Sequence, residues 1–402
     1  MGSSNNLVLL ILFVLAISLT LVAEASQGHR ETPSEEEKKD LKRQLRAINK
    51  PALKSFKTKQ GIIYDCIDIH KQLAFDHHLL KNHSVQLKPT VLPEWITYKN
   101  ISQKVSPLQL LQKGISCPDG TVIVKRTTMQ DLMHAERLKS VGFNSSNRLP
   151  AGHHYATADY KRTSVSGVKG SINIWDVQVA QDQVSMATMA VAGGPVEQLA
   201  SISVGWMASQ VNPWLYGDHV HLYTYWTGDG YRRTGCYDVR CPGFVQVSKR
   251  IPLGVLIQKV SIYGGIQYQM DLVLHQDHAT GDWWFIFGGE NVGYWPASLF
   301  SPGGVANRAN YASWGGQVYS PLTEASPVMG SGHFPDEGFG KAAFINGIQI
   351  IDGSGTALIP QIYTIKTHET SPTCYKAKYI HDDEEPWIRA IFYGGPGGCI
   401  GQ

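Results

Sequence analysis

Between residues 151 and 402 the sequence returns again and again to short runs of β-branched and aromatic residues. They lie near residues 170–177, 184–191, 202–207, 220–226, 254–262, 268–274, 283–287, 316–319, 341–350 and 387–393. Glycine-rich turns separate them, and almost no helical period intervenes. Side chains of this kind suit a pleated, half-buried surface. Many short strands joined by tight turns restrict the fold to an all-β class, and the spacing predicts an antiparallel two-sheet β-sandwich. Forty glycines and twenty prolines in 402 residues agree with that reading, because both supply turns and weaken helices.

The densest part of this pattern runs from Ser201 to Gln246. Val220-His221-Leu222-Tyr223-Thr224-Tyr225-Trp226 reads as a strand, and Thr227-Gly228-Asp229-Gly230 as a turn. Cys236 and Cys241 flank a short loop, after which Phe244-Val245-Gln246 resumes extended chain. The expectation is a hairpin stapled near its tip.

These residues resemble a known family. Gly235-Cys236-Tyr237-Asp238 with Cys241-Pro242-Gly243-Phe244-Val245-Gln246 is similar to a signature of the neprosins, secreted plant proteins whose characterised members are glutamic prolyl endopeptidases. Trp283-Trp284, Gly293-Tyr294-Trp295-Pro296, Trp314-Gly315-Gly316, Gly330-Ser331-Gly332-His333-Phe334-Pro335 and Tyr393-Gly394-Gly395-Pro396-Gly397 follow in the family's order. Upstream, Asp65-Cys66-Ile67-Asp68-Ile69 and His70-Lys71-Gln72-Leu73-Ala74-Phe75-Asp76-His77 resemble the neprosin activation peptide. The resemblance implies a sandwich like that of eqolisin-type glutamic peptidases, preceded by a small disulfide-closed propeptide-like unit with a short N-terminal helix.

It also implies where the chemistry would lie. Glutamic peptidases activate water with a carboxylate and move protons through a partner group, so the two must differ in protonation. In neprosins the first glutamate sits in Ser-Ile-Glu-Ala-Gly-Trp and the second ends Trp-Gly-Gly-Glu. Here those motifs read Ser201-Ile202-Ser203-Val204-Gly205-Trp206 and Trp314-Gly315-Gly316-Gln317. Ser203 and Gln317 therefore stand at the two catalytic positions. The family's Gln-Ile-Trp on a neighbouring strand appears as Thr188-Met189-Ala190. A hydroxyl and an amide are not general bases near neutral or acidic pH, so the expectation is a silenced peptidase whose cleft still binds peptide. Trp206, Tyr225, Trp226, Trp295 and Trp314 offer flat surfaces for a proline-rich segment, with core packing as the alternative for each.

Two other readings stay open. An active endopeptidase would need a substitute acid or a nucleophilic Ser203. Glu197 shares the strand face of Ser203 but lies about 20 Å along it, and Glu290 reads as a turn residue. Ser201-Ile202-Ser203-Val204-Gly205 is similar to a nucleophile elbow, yet no helix follows. A structural extracellular protein without cleft function is the remaining possibility. His219-Val220-His221 lacks a third ligand, and the histidines of residues 70–83 lack a paired acid on one helical face, so no metal and no other cofactor is expected.

The rest of the chain bounds compartment and partners. Residues 1–25 read as a signal peptide: an apolar run over residues 7–23 ends in Ala23-Glu24-Ala25, though no basic residue precedes it and the run is long, which leaves an uncleaved anchor as the alternative. Secretion suits six cysteines, which group along the chain as Cys66 with Cys117, Cys236 with Cys241, and Cys374 with Cys399. Asn82, Asn100 and Asn144 each open an N-glycosylation sequon. A formal net charge of +3 with 17% charged residues is too mild for nucleic acid or a membrane surface, which leaves proline-rich peptide or an extracellular protein as partner. The expected divisions are a propeptide-like unit at 26–126, a linker at 127–150 and a catalytic-type domain at 151–402. Ser34 and Glu37 form a capping box at the start of a helix that Pro51 ends.

Overall fold

The computed structural model describes residues 34–92, 94–95, 103–106, 115–133, 151–195, 198–209, 220–380 and 389–401. The chain divides after residue 44. Helix α1 (Glu35–Ile48) begins as the sequence suggests. The Ser34 amide donates to Glu37 Oε2 at 2.7 Å and the Glu37 amide to Ser34 Oγ at 3.2 Å. Three glutamates fill its first turn and Arg46 its last, each sign matching the helix dipole.

In the larger unit, residues 45–402, strands β1 (Ala52–Lys57), β2 (Ile63–Asp68) and β4 (Thr121–Lys125) form a small antiparallel sheet, closed by the Cys66–Cys117 disulfide. Strand β3 (Gln103–Lys104) lies elsewhere, pairing in parallel with a strand of the main sheet.

That main sheet contains β5 (His153–Asn173), β6 (Val184–Gly193), β7 (Ala200–Ser209), β8 (His221–Thr227), β9 (Cys236–Tyr237), β10 (Val245–Gln246), β11 (Tyr268–Gln276), β12 (Trp283–Phe287), β13 (Glu290–Trp295) and β14 (Ala309–Tyr319). It continues with β15 (Ala343–Asp352), β16 (Ala357–Leu358), β17 (Ile365–Glu369), β18 (Lys376–Ile380) and β19 (Ala390–Gly394). The 21-residue β5 is common to two layers. Its first half pairs with β14 and β17, giving one layer in the order β17-β5-β14-β6-β7-β8-β9. Its second half pairs with β11 and β15, giving the other layer, β10-β13-β12-β11-β5-β15-β19-β18.

Alternation sorts each strand between core and surface. In the first layer Ala187, Met189, Val191, Ile202, Val204, Trp206, Trp226 and Trp314 point inward and are fully or almost fully buried. Across the layers the Trp206 indole donates to the Asn173 carbonyl at 2.8 Å, and that of Trp314 to the Lys169 carbonyl at 3.2 Å.

The hairpin expected over residues 201–246 is more than a hairpin. Strand β8 turns into β9 beside the Cys236–Cys241 disulfide, but β10 pairs with β13 in the other layer. The stapled loop is thus where the chain crosses between layers. Residues 254–262 form no regular strand: residues 254–257 exchange backbone hydrogen bonds with Val220 and Leu222 and bridge His221, and the rest is irregular. The third disulfide joins Cys374 to Cys399.

The N-terminal sheet shares the sandwich core: Ile62, Tyr64, Leu80, Val105 and Ile123 belong to the same buried cluster as Val245, Leu253 and Trp284. Buried Gln72 and Gln246 seal the joint. The Gln246 amide donates to Gln72 Oε1 at 2.8 Å, Gln72 Nε2 to the Gln246 carbonyl at 3.1 Å, and Gln246 Nε2 to the Ile123 carbonyl at 2.6 Å. Further out, the Tyr294 hydroxyl accepts from the Gln86 amide at 3.0 Å and lies 2.7 Å from His83 Nε2. Of the expected linker, residues 134–150 lie outside the described residues. Cleavage there should leave two fragments that co-elute on gel filtration at neutral pH, because parting them exposes a common apolar core. Spontaneous separation would contradict this packing.

Candidate ligand-binding cleft

The outward face of β5, β14, β6, β7 and β8 forms one cleft of about 480 Å³. Its geometry follows from register. Reading across the strands, Asp159 faces Ser313, Ser313 faces Ala190, Ala190 faces Ser203, and Ser203 faces Tyr225. The next row is Thr157, Gly315, Thr188, Gly205 and Tyr223. Small residues therefore pave the floor over β14, β6 and β7. Gly205 is required there, since a Cβ would sit 1.9 Å from the Ala187 carbonyl oxygen. Gly315 likewise adopts φ +151°, and a Cβ would lie 2.3 Å from the Ala156 carbonyl oxygen.

Tyrosines form the walls: Tyr223, Tyr225, Tyr231 and Tyr237 on one side, Tyr155 and Tyr311 on the other. Tyr225 stacks on Tyr231 at 5.8 Å and meets Tyr237 edge-on at 4.7 Å. The Tyr223 hydroxyl donates to Thr188 Oγ1 at 2.7 Å. Burial pushes the Tyr223 phenol up to about 12 and raises those of Tyr155, Tyr225, Tyr237 and Tyr311 further. All stay protonated in any physiological medium and serve as neutral hydrogen-bonding groups.

Ser203 and Gln317 both line this cleft, two strands apart and four residues out of register. Gln317 is buried, and its Nε2 donates to Tyr155 Oη at 3.1 Å and to His153 Nδ1 at 3.0 Å. The second bond requires a neutral His153 ring with its proton on Nε2. Thr188, Ala190 and Tyr225 line the cleft as well.

Trp206, Trp226 and Trp314, expected at the cleft, are core residues. Each stands an odd number of residues from Ser203, Tyr225 or Gln317 on its strand, so alternation turns it to the opposite face. Trp295 is also buried, against Phe244. Glu290 starts β13 far along the other layer, where it pairs with Arg250 at 2.6 Å and accepts from Ser248. His221 is buried in β8 beside the irregular 254–262 segment. Asn82 is exposed, whereas Glu197, His219, Asn100 and Asn144 fall outside the described residues.

Sequence reading passed over Asp159, the one carboxylate among the described residues of the lining. Asp159 Oδ1 accepts from Thr157 Oγ1 at 2.9 Å and Ser313 Oγ at 2.8 Å, beside the Tyr311 ring that lines the same end of the cleft. Alternation in His153-His154-Tyr155-Ala156-Thr157-Ala158-Asp159-Tyr160, polar on one face and largely small or apolar on the other, is the signal that could have found it.

Comparison with known families decides the chain's kinship. The neprosin domain matches residues 181–396, more than half of the sequence, and the neprosin activation peptide matches residues 55–165. The chain belongs to the neprosin family. The activation-peptide match of this neprosin-family chain runs into the first half of β5, so it includes Asp159 and the tyrosine-bearing face beside it. Among solved structures, it is similar to scytalido-glutamic peptidase bound to a peptide-based transition-state analogue. That match has 9% identity and a TM-score of 0.35, covering 61% of this chain and 98% of the other. A second structure of that peptidase, with a transition-state analogue inhibitor, matches at 8% identity and TM-score 0.33 over 60% and 98% of the two chains. CG-16, a homodimeric agglutinin from chicken liver, matches at 9% identity and TM-score 0.21 over 41% and 92%.

Proposed function

We propose that this neprosin-family protein is a secreted, catalytically silenced relative of the prolyl endopeptidases that holds proline-rich peptide in its tyrosine-walled cleft without cutting it. The observation that carries the reading is the state of the two positions where the family resemblance places glutamates. Position 203 carries only a hydroxyl, and the Gln317 amide is engaged with His153 and Tyr155. Neither can take a proton from water. Aromatic walls above a floor of small residues suit the preformed polyproline helix, whose rings stack on flat side chains and whose carbonyls accept from phenols. Three disulfides agree with an oxidising compartment. In this reading residues 1–25 are a signal peptide, 26–126 an activation-peptide-like unit, 127–150 a linker, and 151–402 the sandwich.

A fluorescent proline-rich peptide should gain anisotropy on titration with the full secreted chain and be recovered intact by mass spectrometry from pH 3 to pH 7. No binding across that range would overturn the reading. One observation favours an active enzyme instead: Asp159 shares a lateral row with Ser203, though three strand spacings, about 14 Å, separate them. Cleavage that disappears in Asp159→Asn would establish that alternative.

A further inference from the structure

The row that starts at Tyr225 and crosses Ser203, Ala190 and Ser313 ends at Asp159. No bulky side chain interrupts it, and the position where the family resemblance places a tryptophan is Ala190. Asp159 is half-buried, and its hydrogen-bond partners among the described residues are the neutral hydroxyls of Thr157 and Ser313. Two cations stand nearby. Lys366 is its cross-strand neighbour on β17, and Lys161 follows two residues along β5, but among the described residues no ion pair within 4 Å joins either to it. Both are exposed, so water and salt screen them, whereas the carboxylate acts within a cleft walled by rings. The Lys161 ammonium lies 5.7 Å above the Tyr311 ring, so that ring face already receives a cation.

We propose that this end of the cleft is a subsite for a cationic side chain, lysine or arginine, of a bound peptide, with Asp159 as counter-ion and the Tyr311 ring as platform. The proposal rests on the peptide-binding reading and adds a sequence preference to it. A guanidinium reaching Asp159 would meet a carboxylate that Ser313 and Thr157 hold in place, and would lie against Tyr311 where Lys161 now rests with only a ring contact. The small floor lets the remainder of the peptide run towards Tyr225 and Tyr223.

The test compares a short proline-rich peptide containing one arginine with the same peptide containing citrulline, its neutral isostere. Isothermal titration with the full chain should show the arginine peptide binding about fivefold more tightly, the scale of one partly screened charge pair. The ratio should shrink as salt is raised. Asp159→Asn should bring the arginine peptide down to the citrulline peptide's level, while Asp159→Glu should keep part of the difference. Matching thermal unfolding curves would show that both variants fold. Equal binding of the two peptides by the unmodified chain, or a difference that survives Asp159→Asn, would overturn the subsite. If neither peptide binds, the peptide reading fails, and saturation-transfer NMR with argininamide against citrullinamide judges the subsite separately. Contact by argininamide alone, lost in Asp159→Asn, sustains it; no argininamide contact sinks it.

Discussion

Ser203→Glu combined with Gln317→Glu is expected to give the cleft measurable cleavage of proline-containing peptides at acidic pH, where the proposed function expects none from the unmodified chain. One positioned acid–base group typically contributes about 10²–10⁴ in rate, so losing both removes nearly all acid–base catalysis. The floor around Ser203 has room for a longer side chain, because Ala190 lies beside it and Gly205 follows two residues on. At the other position the partners are ready for a carboxylate: Tyr155 can turn its hydroxyl proton towards it, and His153 can donate once protonated. A new carboxylate there should raise the proton affinity of His153, while the carboxylate at position 203 has only hydroxyl neighbours, so the two sites differ in protonation as the chemistry needs. Ser203→Glu alone should give a trace, through a Glu–Gln pair, and adding Thr188→Gln with Ala190→Trp to the double variant should improve substrate hold. Fragment yields by mass spectrometry read each step. Robust cleavage by the unmodified chain, abolished by Ser203→Ala, would instead establish a serine mechanism. Cleavage surviving both Ser203→Ala and Gln317→Ala would place the site elsewhere.

Asp131→Ala is expected to lower stability by about 3–5 kcal/mol, the usual result of leaving a buried charge without its partner. Asp131 is 2% exposed and lies 3.4 Å from the ammonium of Lys125, itself 14% exposed. The same carboxylate caps the helical turn that begins at Met129, accepting from the Thr128 amide at 2.7 Å and its hydroxyl at 2.6 Å. Burial pushes the Asp131 carboxyl up, but Lys125, Arg240 and the Thr128 bonds outweigh it and leave the pKa below the usual value. A lowered carboxylate stabilises the fold above its unfolded pKa, near 4, and that contribution fades as pH falls through the folded value. The unmodified protein should therefore lose this share of stability only in strong acid, and Asp131→Ala should flatten that part of the profile in chemical denaturation. The paired change Lys125→Met with Asp131→Leu should recover most of the loss, since it removes both charges together. If Asp131→Ala alone unfolds no earlier than the unmodified chain, Lys125 has another adequate counter-charge, and buried Asp238, which also acts on it, is the candidate.

Much of this was legible in the sequence, and the failures have physical causes. The sandwich followed from strand-like runs and turns, and neighbour grouping of six cysteines gave the three bridges found. Ser203 and Gln317 were placed by motif, and both lie in one cleft. For the tryptophans both a cleft and a core place were open, and alternation decides: counting residues from Ser203 and Gln317 puts Trp206 and Trp314 inside. Asp159 was missed because the first half of β5, with its threonine, lysine and histidine, lacks the apolar density of a core strand. The destination of β10 is set by pairing with β13, about fifty residues later, which no local signal near Cys241 reports.

Strand β5 also dictates when this protein can fold. Its pairing partners, β11, β14, β15 and β17, are all made after it, and the last of them ends at Glu369. A ribosome that has just released β5 exposes a 21-residue strand with both edges bare and nothing to pair with until some two-thirds of the chain has emerged. Contacts of such sequence separation form slowly, and open strand edges invite association with other chains. The small β1-β2-β4 sheet, by contrast, is complete before β5 begins. It is available early as a surface on which the later strands can collect, so losing it should harm the yield of folded protein as well as the finished core.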